Sequence, residues 1–229
     1  TSVVAEIEST NEVVSFTDIS ENNFTYSQDL TNWSTNSNVT VTSNATTAPD
    51  GTLTADSVQT ITTGSASYVR NNVIDRSQST PLTLSFYVKG TGFIQLSTNT
   101  FWVGYGYTNV NCATGETYAP TNFTGITSSD VGNGWWRIQM SAPTANWQGG
   151  FLFSVVDAIS SARQSASNDT SLKYIWGVQW ERVPNGVINT TGGSNTSTYL
   201  PTTTSASLNL VGLTGVTRGV NGTTAQAAS

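Results

Sequence analysis

The side chains that could carry acid–base or nucleophilic chemistry are few and widely spaced in this chain. Its 229 residues include no histidine and one cysteine, Cys112. A serine or cysteine nucleophile needs a positioned base beside it, so Ser-His-Asp and Cys-His arrangements are excluded. The same counts exclude a disulfide within the chain and a zinc site built from Cys and His.

Paired carboxylates are the remaining route to catalysis, because a glycosidase needs two of them facing each other across a cleft. The candidates in the central part of the chain are Asp29, Asp50, Asp56, Asp75, Glu116, Asp130, Asp157, Asp169 and Glu181. Most lie in turn-like sequences, where an aspartate commonly bonds its own backbone. No D-x-D-x-D-G calcium loop occurs, and a turn is favoured over a structural ion at Asp50 and Asp56. We expect no enzymatic activity, no cofactor and no metal.

Aromatic side chains are the other residues with binding chemistry. In KYIWGVQWERV (173–183), strand alternation places four large residues on one face, namely Tyr174, Trp176, Val178 and Trp180. The opposite face is polar, with Lys173, Gly177, Gln179 and Glu181. A strand that is aromatic on one side and polar on the other normally turns the aromatic side inward. We therefore predict a core strand rather than an exposed platform for a sugar ring.

Candidates for a glycan contact or a subunit contact are Trp102, Tyr105, Tyr107, Trp135 and Trp147. In WWRIQM (135–140), alternation predicts that Trp136 faces the core and that Trp135 is left at the surface. In FWVGYGYTN, Trp102 shares a predicted strand face with Gly104 and Gly106, and Trp147 lies in the turn-like PTANWQGG. Exposed tryptophans beside Gly and Asn can stack on sugars or pack against a neighbouring subunit. Subunit packing is the favoured interpretation.

The elements that must position these residues are short strands. Predicted strands are 38–43, 53–61, 66–72, 82–90, 93–97, 101–108, 122–127, 135–141, 151–156 and 173–183, separated by turn signals such as PDG, KGTG and GNG. Residues 158–169 are predicted to form a loop rather than a helical turn. No three-turn helical pattern and no fixed repeat occur. The chain is predicted to be all-β, a two-sheet antiparallel β-sandwich or jelly roll with extended terminal arms.

Three zones divide the chain. Residues 1–20 read as two alternating segments joined by a polar turn, which predicts an N-terminal arm or edge ribbon. Residues 21–201 form the predicted jelly-roll sandwich. Residues 202–229 are rich in Thr, Gly and Ala and are predicted to be an extended C-terminal arm. Because such a tail buries too little apolar surface to fold alone, we expect another subunit to order it.

Charge and hydropathy limit the partners. The eight basic residues are scattered and the net charge is −6, which argues against nucleic-acid binding. No apolar run approaches the length of a membrane helix. The first residues lack the basic and apolar regions of a signal peptide. We expect a complete chain made in the cytosol, with no membrane partner.

A series of motifs runs along most of the chain, namely NFTYSQDLTNWSTNSNVTVTSNATTAPDGTLTADSV (23–58), SFYVKG (85–90), GWWRI (134–138), YIWGVQWERVPN (174–185), TYLPT (198–202) and VTRG (216–219). In this order the motifs resemble those of the jelly-roll, carbohydrate-binding-like modules of tailed-bacteriophage virion proteins. The resemblance implies a β-sandwich on the virion surface, in head decoration proteins, head fibres or tail fibres. This chain lacks the long fibre repeats of many tail fibres, which favours a capsid accessory protein.

The function expected from this resemblance is a non-enzymatic virion structural protein, most simply a capsid decoration or cement protein. The implied partners are the major capsid protein or tail and fibre subunits. Further copies of this chain are also expected, with a trimer as the form that shell geometry suggests. The alternative is a glycan-binding or receptor-binding module of a head or tail fibre, with a host surface glycan as its ligand.

Overall fold

The structure of the protein is a computed structural model that describes residues 3–7, 12–71, 82–98, 106–121, 123–142, 150–182, 199–205 and 207–214. Fifteen strands and one short 3₁₀ turn, Leu30–Asn32, make up its regular structure. Within these ranges no helix has the length and apolar character needed to cross a membrane.

The described strands form two six-stranded antiparallel sheets and a smaller third sheet. In chain order the strands are β1 (Val3–Ile7), β2 (Glu12–Asn22), β3 (Ser34–Thr35), β4 (Val39–Thr46), β5 (Ala55–Thr60), β6 (Ser67–Asn71), β7 (Leu82–Gly90), β8 (Phe93–Thr98), β9 (Tyr107–Asn111), β10 (Thr117–Thr121), β11 (Thr124–Gly132), β12 (Trp135–Ala142), β13 (Phe151–Val156), β14 (Lys173–Arg182) and β15 (Ser207–Thr214). Sheet I has the order β10-β9-β8-β13-β6-β3, and sheet II has the order β11-β12-β7-β14-β5-β4. The predicted all-β, two-sheet antiparallel sandwich is confirmed.

Most predicted strands of the body lie where alternation placed them, and residues 158–169 form a loop as predicted. Of the predicted strand 101–108, residues 107 and 108 are in a strand, because β9 begins at Tyr107. Residues 101–105 lie outside the described ranges. Two strands of the body were missed. β3 has only two residues, and β10 contains Pro120, which lowers its apparent strand propensity.

The core fills the space between sheets I and II. Sheet I contributes Val69, Ile94, Leu96, Val110, Phe151, Phe153 and Val155, and sheet II contributes Val58, Leu84, Phe86, Val88, Ile138, Met140, Ile175, Val178 and Trp180. The segment before β3 closes this core. Phe24 stacks on Trp33 with ring centroids 5.5 Å apart, and Trp33 stacks on Phe153 at 6.0 Å. The loop thus adds aromatic area that the strands alone would leave open.

Strands from the N-terminal and C-terminal parts of the chain build a separate three-stranded sheet, with the order β1-β2-β15, which we call the terminal sheet. β1 and β2 form the antiparallel ribbon expected from the alternating N-terminal sequence. β15 pairs with β2 of the same chain, from Ser207 opposite Asn22 to Thr214 opposite Ser15. Residues 207–214 therefore have a strand partner within their own chain, and the expected contact of the C-terminal arm with another subunit stays a prediction. Residues 215–229 lie outside the described part.

A β-bulge in β14 changes which side chains reach the core. The register between β14 and β7 shifts between Trp176 and Gln179, and Gly177 has a φ of +62°. Glycine adopts this left-handed conformation without the strain that a Cβ introduces. The extra residue inverts the alternation, so Trp176 belongs to a second buried cluster outside the core that holds Val178 and Trp180. The prediction that all four residues share one inward face is wrong for Tyr174 and Trp176.

Candidate functional surfaces

The outer face of sheet II carries the second group of buried aromatic residues. Its buried members are Ala48, Ala55, Tyr87, Trp135 and Trp176, with Tyr174 and Tyr199 packed against them; we call this group the aromatic cluster. Arg137, Tyr87 and Trp176 are successive register partners across β12, β7 and β14. The sheet therefore places one cation and two rings side by side on this face.

Contacts between the rings hold the aromatic cluster together. The Trp176 ring lies 5.1 Å from Tyr87 and 4.5 Å from Tyr199, measured between centroids. The Arg137 guanidinium carbon lies 5.6 Å from the Tyr87 ring centroid, and Lys89 Nζ lies 5.9 Å from that of Trp135. These are cation–π distances, so the two cations cover the rings at one side of the cluster.

The loop between β4 and β5 covers the other side. The indole of Trp135 donates to the Thr47 carbonyl oxygen at 3.1 Å, and that of Trp176 donates to Thr54 Oγ1 at 2.9 Å. Asp50 holds the turn of this loop by accepting from the backbone amide of Thr52 at 2.9 Å. Both indole N–H groups are therefore satisfied, as buried tryptophans require.

Trp135 was predicted to be a surface residue that contacts glycan or a subunit, and this prediction is wrong. Its side chain is 1% exposed, while Trp136 packs partly buried against the main core. Alternation gave the correct face for each residue. Alternation did not predict that Trp135 is buried, because the β4–β5 loop and Lys89 cover the outer face of the sheet at this residue.

Residues 199–203, which we call the clamp, connect the aromatic cluster to the terminal sheet. Tyr199 packs on Trp176, and its hydroxyl lies 2.7 Å from Ser27 Oγ. The Thr202 amide donates to the same Ser27 oxygen at 2.9 Å, and the Thr202 hydroxyl donates to the Phe24 carbonyl at 2.6 Å. Burial raises the pKa of Tyr199, so its phenol stays neutral.

Asn22, the last residue of β2, completes this junction. Its side-chain amide donates to the Val178 carbonyl at 3.0 Å and to the Leu200 carbonyl at 2.9 Å. The Leu200 amide in turn donates to Gln179 Oε1 at 2.7 Å. The end of β2 and the clamp that precedes β15 are thus both bonded to β14.

The outer face of sheet I is polar. Gln95 and Asn109 are fully buried there, beneath residues 157–172, which connect β13 to β14 and which we call the strap. Asn109 donates to the carbonyl oxygens of Ile159 and Ser161, both at 2.8 Å. Gln95 donates to Asn109 Oδ1 at 2.7 Å and accepts from the Gln164 amide at 2.8 Å. Side-chain amides rather than apolar groups attach the strap to the sheet.

Two aspartates, Asp157 and Asp169, hold the end of the strap that leads into β14. Asp157 accepts from the Ser167 hydroxyl at 2.6 Å and from the Asn168 amide at 2.8 Å, and these bonds lower its pKa. Asp169 forms an ion pair of 2.6 Å with the buried Lys173. Burial would raise the pKa of Asp169, but hydrogen bonds from Lys173 and Ser171 outweigh it, so the pKa is lowered.

Of the other predicted contact residues, Tyr107 is partly exposed on β9. Tyr118, on the neighbouring strand β10, is 43% exposed and was not predicted. By register Tyr118 lies opposite Asn109 and Tyr107 lies opposite Thr121, so both tyrosines belong to the outer face of sheet I. Trp102, Tyr105 and Trp147 lie outside the described residues, and their roles stay predictions.

The described carboxylates mostly serve local structure. Asp29, Asp50, Asp130, Asp157 and Asp169 each accept a hydrogen bond from a nearby backbone amide. Asp56 is fully buried and accepts from the amides of Leu30 at 2.6 Å and Asn44 at 2.9 Å. Burial raises the pKa of Asp56 to about 6. In the part of the chain that is described, no three His, Cys, Asp or Glu side chains group closely enough to hold a metal ion.

Several residues of these surfaces were not identified from the sequence. Tyr87 and Tyr199 lie in SFYVKG and TYLPT, two motifs of the resemblance, so their position in those motifs was the available signal. The sequence did not indicate that Gln95 and Asn109 are buried. In a strand sequence, a buried amide side chain looks the same as an exposed one, and only the fold shows that the strap covers these two.

Comparison with known proteins identifies no family. No family model matches the chain, and no curated protein matches it. The solved enzymatically active domain of tailspike protein 4 from bacteriophage CBA120 is similar to this chain with a TM-score of 0.43 and 14% identity. The match covers 71% of this chain and 21% of that chain.

Proposed function

We propose that this chain is a non-enzymatic structural protein of a bacteriophage virion that decorates or cements the capsid surface. The sequence resemblance supports the virion context, and the confirmed two-sheet sandwich agrees with the fold that it implies. The observation that carries the proposal is the terminal sheet, in which β2 and β15, from the N-terminal and C-terminal parts of the chain, pair with each other outside the two large sheets.

The terminal sheet suits an attachment role. It joins the body at Asn22, the last residue of β2, and at the clamp before β15, where hydrogen bonds of 2.7–3.0 Å hold both segments. Its outer strands, β1 and β15, each have one edge with no strand partner among the described residues. Strand addition at such an edge gives affinity through backbone hydrogen bonds, and many copies on a shell give avidity.

The remaining chemistry agrees with a structural role. The Cys112 thiol is buried, and burial raises its pKa to about 12, so it is not a nucleophile at neutral pH. Most described aspartates hold turns or the strap through backbone amides. These observations support a non-enzymatic protein.

Rebinding to stripped capsids of the encoding phage tests this proposal. Two truncations, of residues 1–11 and of 207–229, remove strands of the terminal sheet and leave the clamp intact. We expect each truncated protein to keep the near-ultraviolet circular dichroism of the body and to lose capsid binding. Full capsid binding by both truncated proteins would reject the attachment role.

A glycan-binding role is the second candidate, and Tyr107 and Tyr118 favour it. Both belong to the outer face of sheet I near its edge, and Tyr118 is 43% exposed. Tyrosine rings in this setting can stack on sugars. Under this candidate, Tyr107→Ala with Tyr118→Ala abolishes binding to host polysaccharide while capsid binding persists.

A further inference from the structure

The edges of the two large sheets differ in how they are protected. Sheet I ends in β3, which has two residues, and in β10, which contains Pro120. A very short strand offers few backbone groups, and proline offers no N–H, so both edges resist strand addition. Sheet II ends in β4, with eight residues, and in β11, with nine.

The edge strands of sheet II are exposed and almost uncharged. β4 contains no charged residue, and β11 contains only Asp130. Thr40 and Thr42 on β4 and Ser128 and Ser129 on β11 are exposed. Exposed edges are commonly protected by lysine or proline, and neither strand contains either residue. Association at these edges would meet little charge repulsion, although the whole chain carries a net charge of −6.

Bulges limit the part of each edge that could pair regularly. The register of β4 on β5 is regular from Val39 to Thr42, and that of β11 on β12 is regular from Thr127 to Asp130. The two regular stretches are therefore equal in length. Each offers one short ladder rather than a long, aggregation-prone edge.

The directions of the two edges are also complementary. Every neighbouring pair in sheet II is antiparallel, and the sheet has six strands, so β11 and β4 run in opposite directions. A second copy related by rotation about an axis along the strands brings its β11 antiparallel to β4 of the first copy. The antiparallel order of the sheet then continues across the boundary.

We propose that β4 of one copy pairs with β11 of the next, through residues 39–42 and 127–130, and that this head-to-tail contact closes into a ring. The occupant of each edge is a second copy of this chain, because one chain supplies two edges of matching length and opposite direction that carry a single charge, Asp130, between them. This interface rests on the proposed structural role and names the surface through which copies associate. Head-to-tail contacts that close by rotation give cyclic oligomers, of which a trimer is one.

Lysine substitution at β4 tests the contact. The double variant Thr40→Lys with Thr42→Lys places two cations on the edge, and its matched control, Thr63→Lys with Thr91→Lys, places them on exposed loops. In sedimentation velocity at about 100 µM, wild type and control should be oligomeric, while association of the edge variant should fall about tenfold or more. A monomeric wild type, or an edge variant that associates like the control, would overturn the proposal.

A charge swap distinguishes head-to-tail pairing from symmetric pairing of β4 with β4. By register, Thr40, Thr42, Thr127 and Ser129 all belong to the outer face of sheet II. Thr127→Glu with Ser129→Glu should by itself weaken association. Combining all four substitutions should restore it, because each boundary then pairs lysine with glutamate. In a symmetric β4–β4 contact the lysines face each other, so a quadruple variant that stays dissociated would reject the head-to-tail arrangement.

The two proposals fail separately. Oligomeric state is measured on the purified full-length protein without capsids, whereas the attachment role is measured by capsid binding of the terminal truncations. Circular dichroism melting of every variant confirms that the sandwich is folded before its association is interpreted.

Discussion

The outer faces of the two large sheets are covered in different ways. On sheet II, Trp135 and Trp176 are buried under a loop and the clamp, and packing between rings supplies the contact. On sheet I, Gln95 and Asn109 hold the strap through hydrogen bonds to its backbone. Apolar burial contributes a net driving force, whereas a typical hydrogen bond adds only about 0.5–1.5 kcal/mol because water competes for it. The aromatic cover should therefore open with the whole fold, and the polar cover should open locally.

The largest expected effect is that of Trp176→Ala. Trp176 is 4% exposed, packs on Tyr87 and Tyr199, and bonds Thr54. Truncating a buried tryptophan should lower the free energy of unfolding by about 3–5 kcal/mol, measured by urea denaturation. Tyr118→Ala, an exposed aromatic on sheet I, is the control and should change it by less than about 1 kcal/mol. If both variants lose the same unfolding free energy, the aromatic cover of sheet II does not contribute more to stability than the exposed ring on sheet I.

Gly177→Ala should have the next largest effect. The added Cβ would sit 3.0 Å from Tyr87 Cδ2 at a φ of +62°. Backbone strain and contact with the ring should together cost about 1–3 kcal/mol of unfolding free energy. Gly64 has a φ of +74° and no atom within 4 Å of an added Cβ, so Gly64→Ala measures the strain alone. If the two variants lose the same stability, the bulge does not pack against the cluster.

The sequence predicted the features that depend on neighbouring residues, and it failed at the β14 bulge and at a long-range contact. Alternation assigned the correct face to Trp136, and turn signals located most strands, because both depend on nearest neighbours along the chain. Trp176 was assigned to the wrong face because Gly177 adds a residue to the strand, and a lone glycine does not reveal whether it forms a bulge. The burial of Trp135 depends on Thr47, 88 residues away, and no local pattern encodes that contact.

The strap on sheet I should respond locally. Asn109→Ala removes two hydrogen bonds to the strap, at Ile159 and Ser161. We expect amide exchange in residues 158–165 to become about tenfold faster, while global unfolding free energy falls by about 1–2 kcal/mol. Asn111→Ala is the control, because its side chain bonds the Ala113 amide in the adjacent turn instead of the strap. Unchanged exchange in the strap would show that the amide side chains do not hold it.

The smallest effects should come from pH, and they should have opposite signs on the two faces. The pKa of Asp169 at the strap is lowered in the folded protein, so its stabilisation is present above the unfolded pKa and is lost as the pH falls through the folded value. The pKa values of Tyr87 and Tyr199 in the aromatic cluster are raised, chiefly by burial. Their stabilisation is present below the unfolded pKa of tyrosine, about 10, and is lost at higher pH.

Local probes are needed to see this difference, because Asp56 opposes Asp169 in global stability. Its pKa is raised to about 6, so its contribution to stability decreases as the pH rises from about 4 to 6. Near pH 3.5, hydrogen exchange corrected for its intrinsic pH dependence should show weakened protection in the strap and an intact aromatic cluster. At alkaline pH, loss of the tyrosine stabilisation should lower the global free energy of unfolding, so the near-ultraviolet signal of Trp135 and Trp176 and the protection of the strap should weaken together. If acid also weakens both faces equally, the two covers open together, and the distinction between apolar and polar covering does not govern how this sandwich opens.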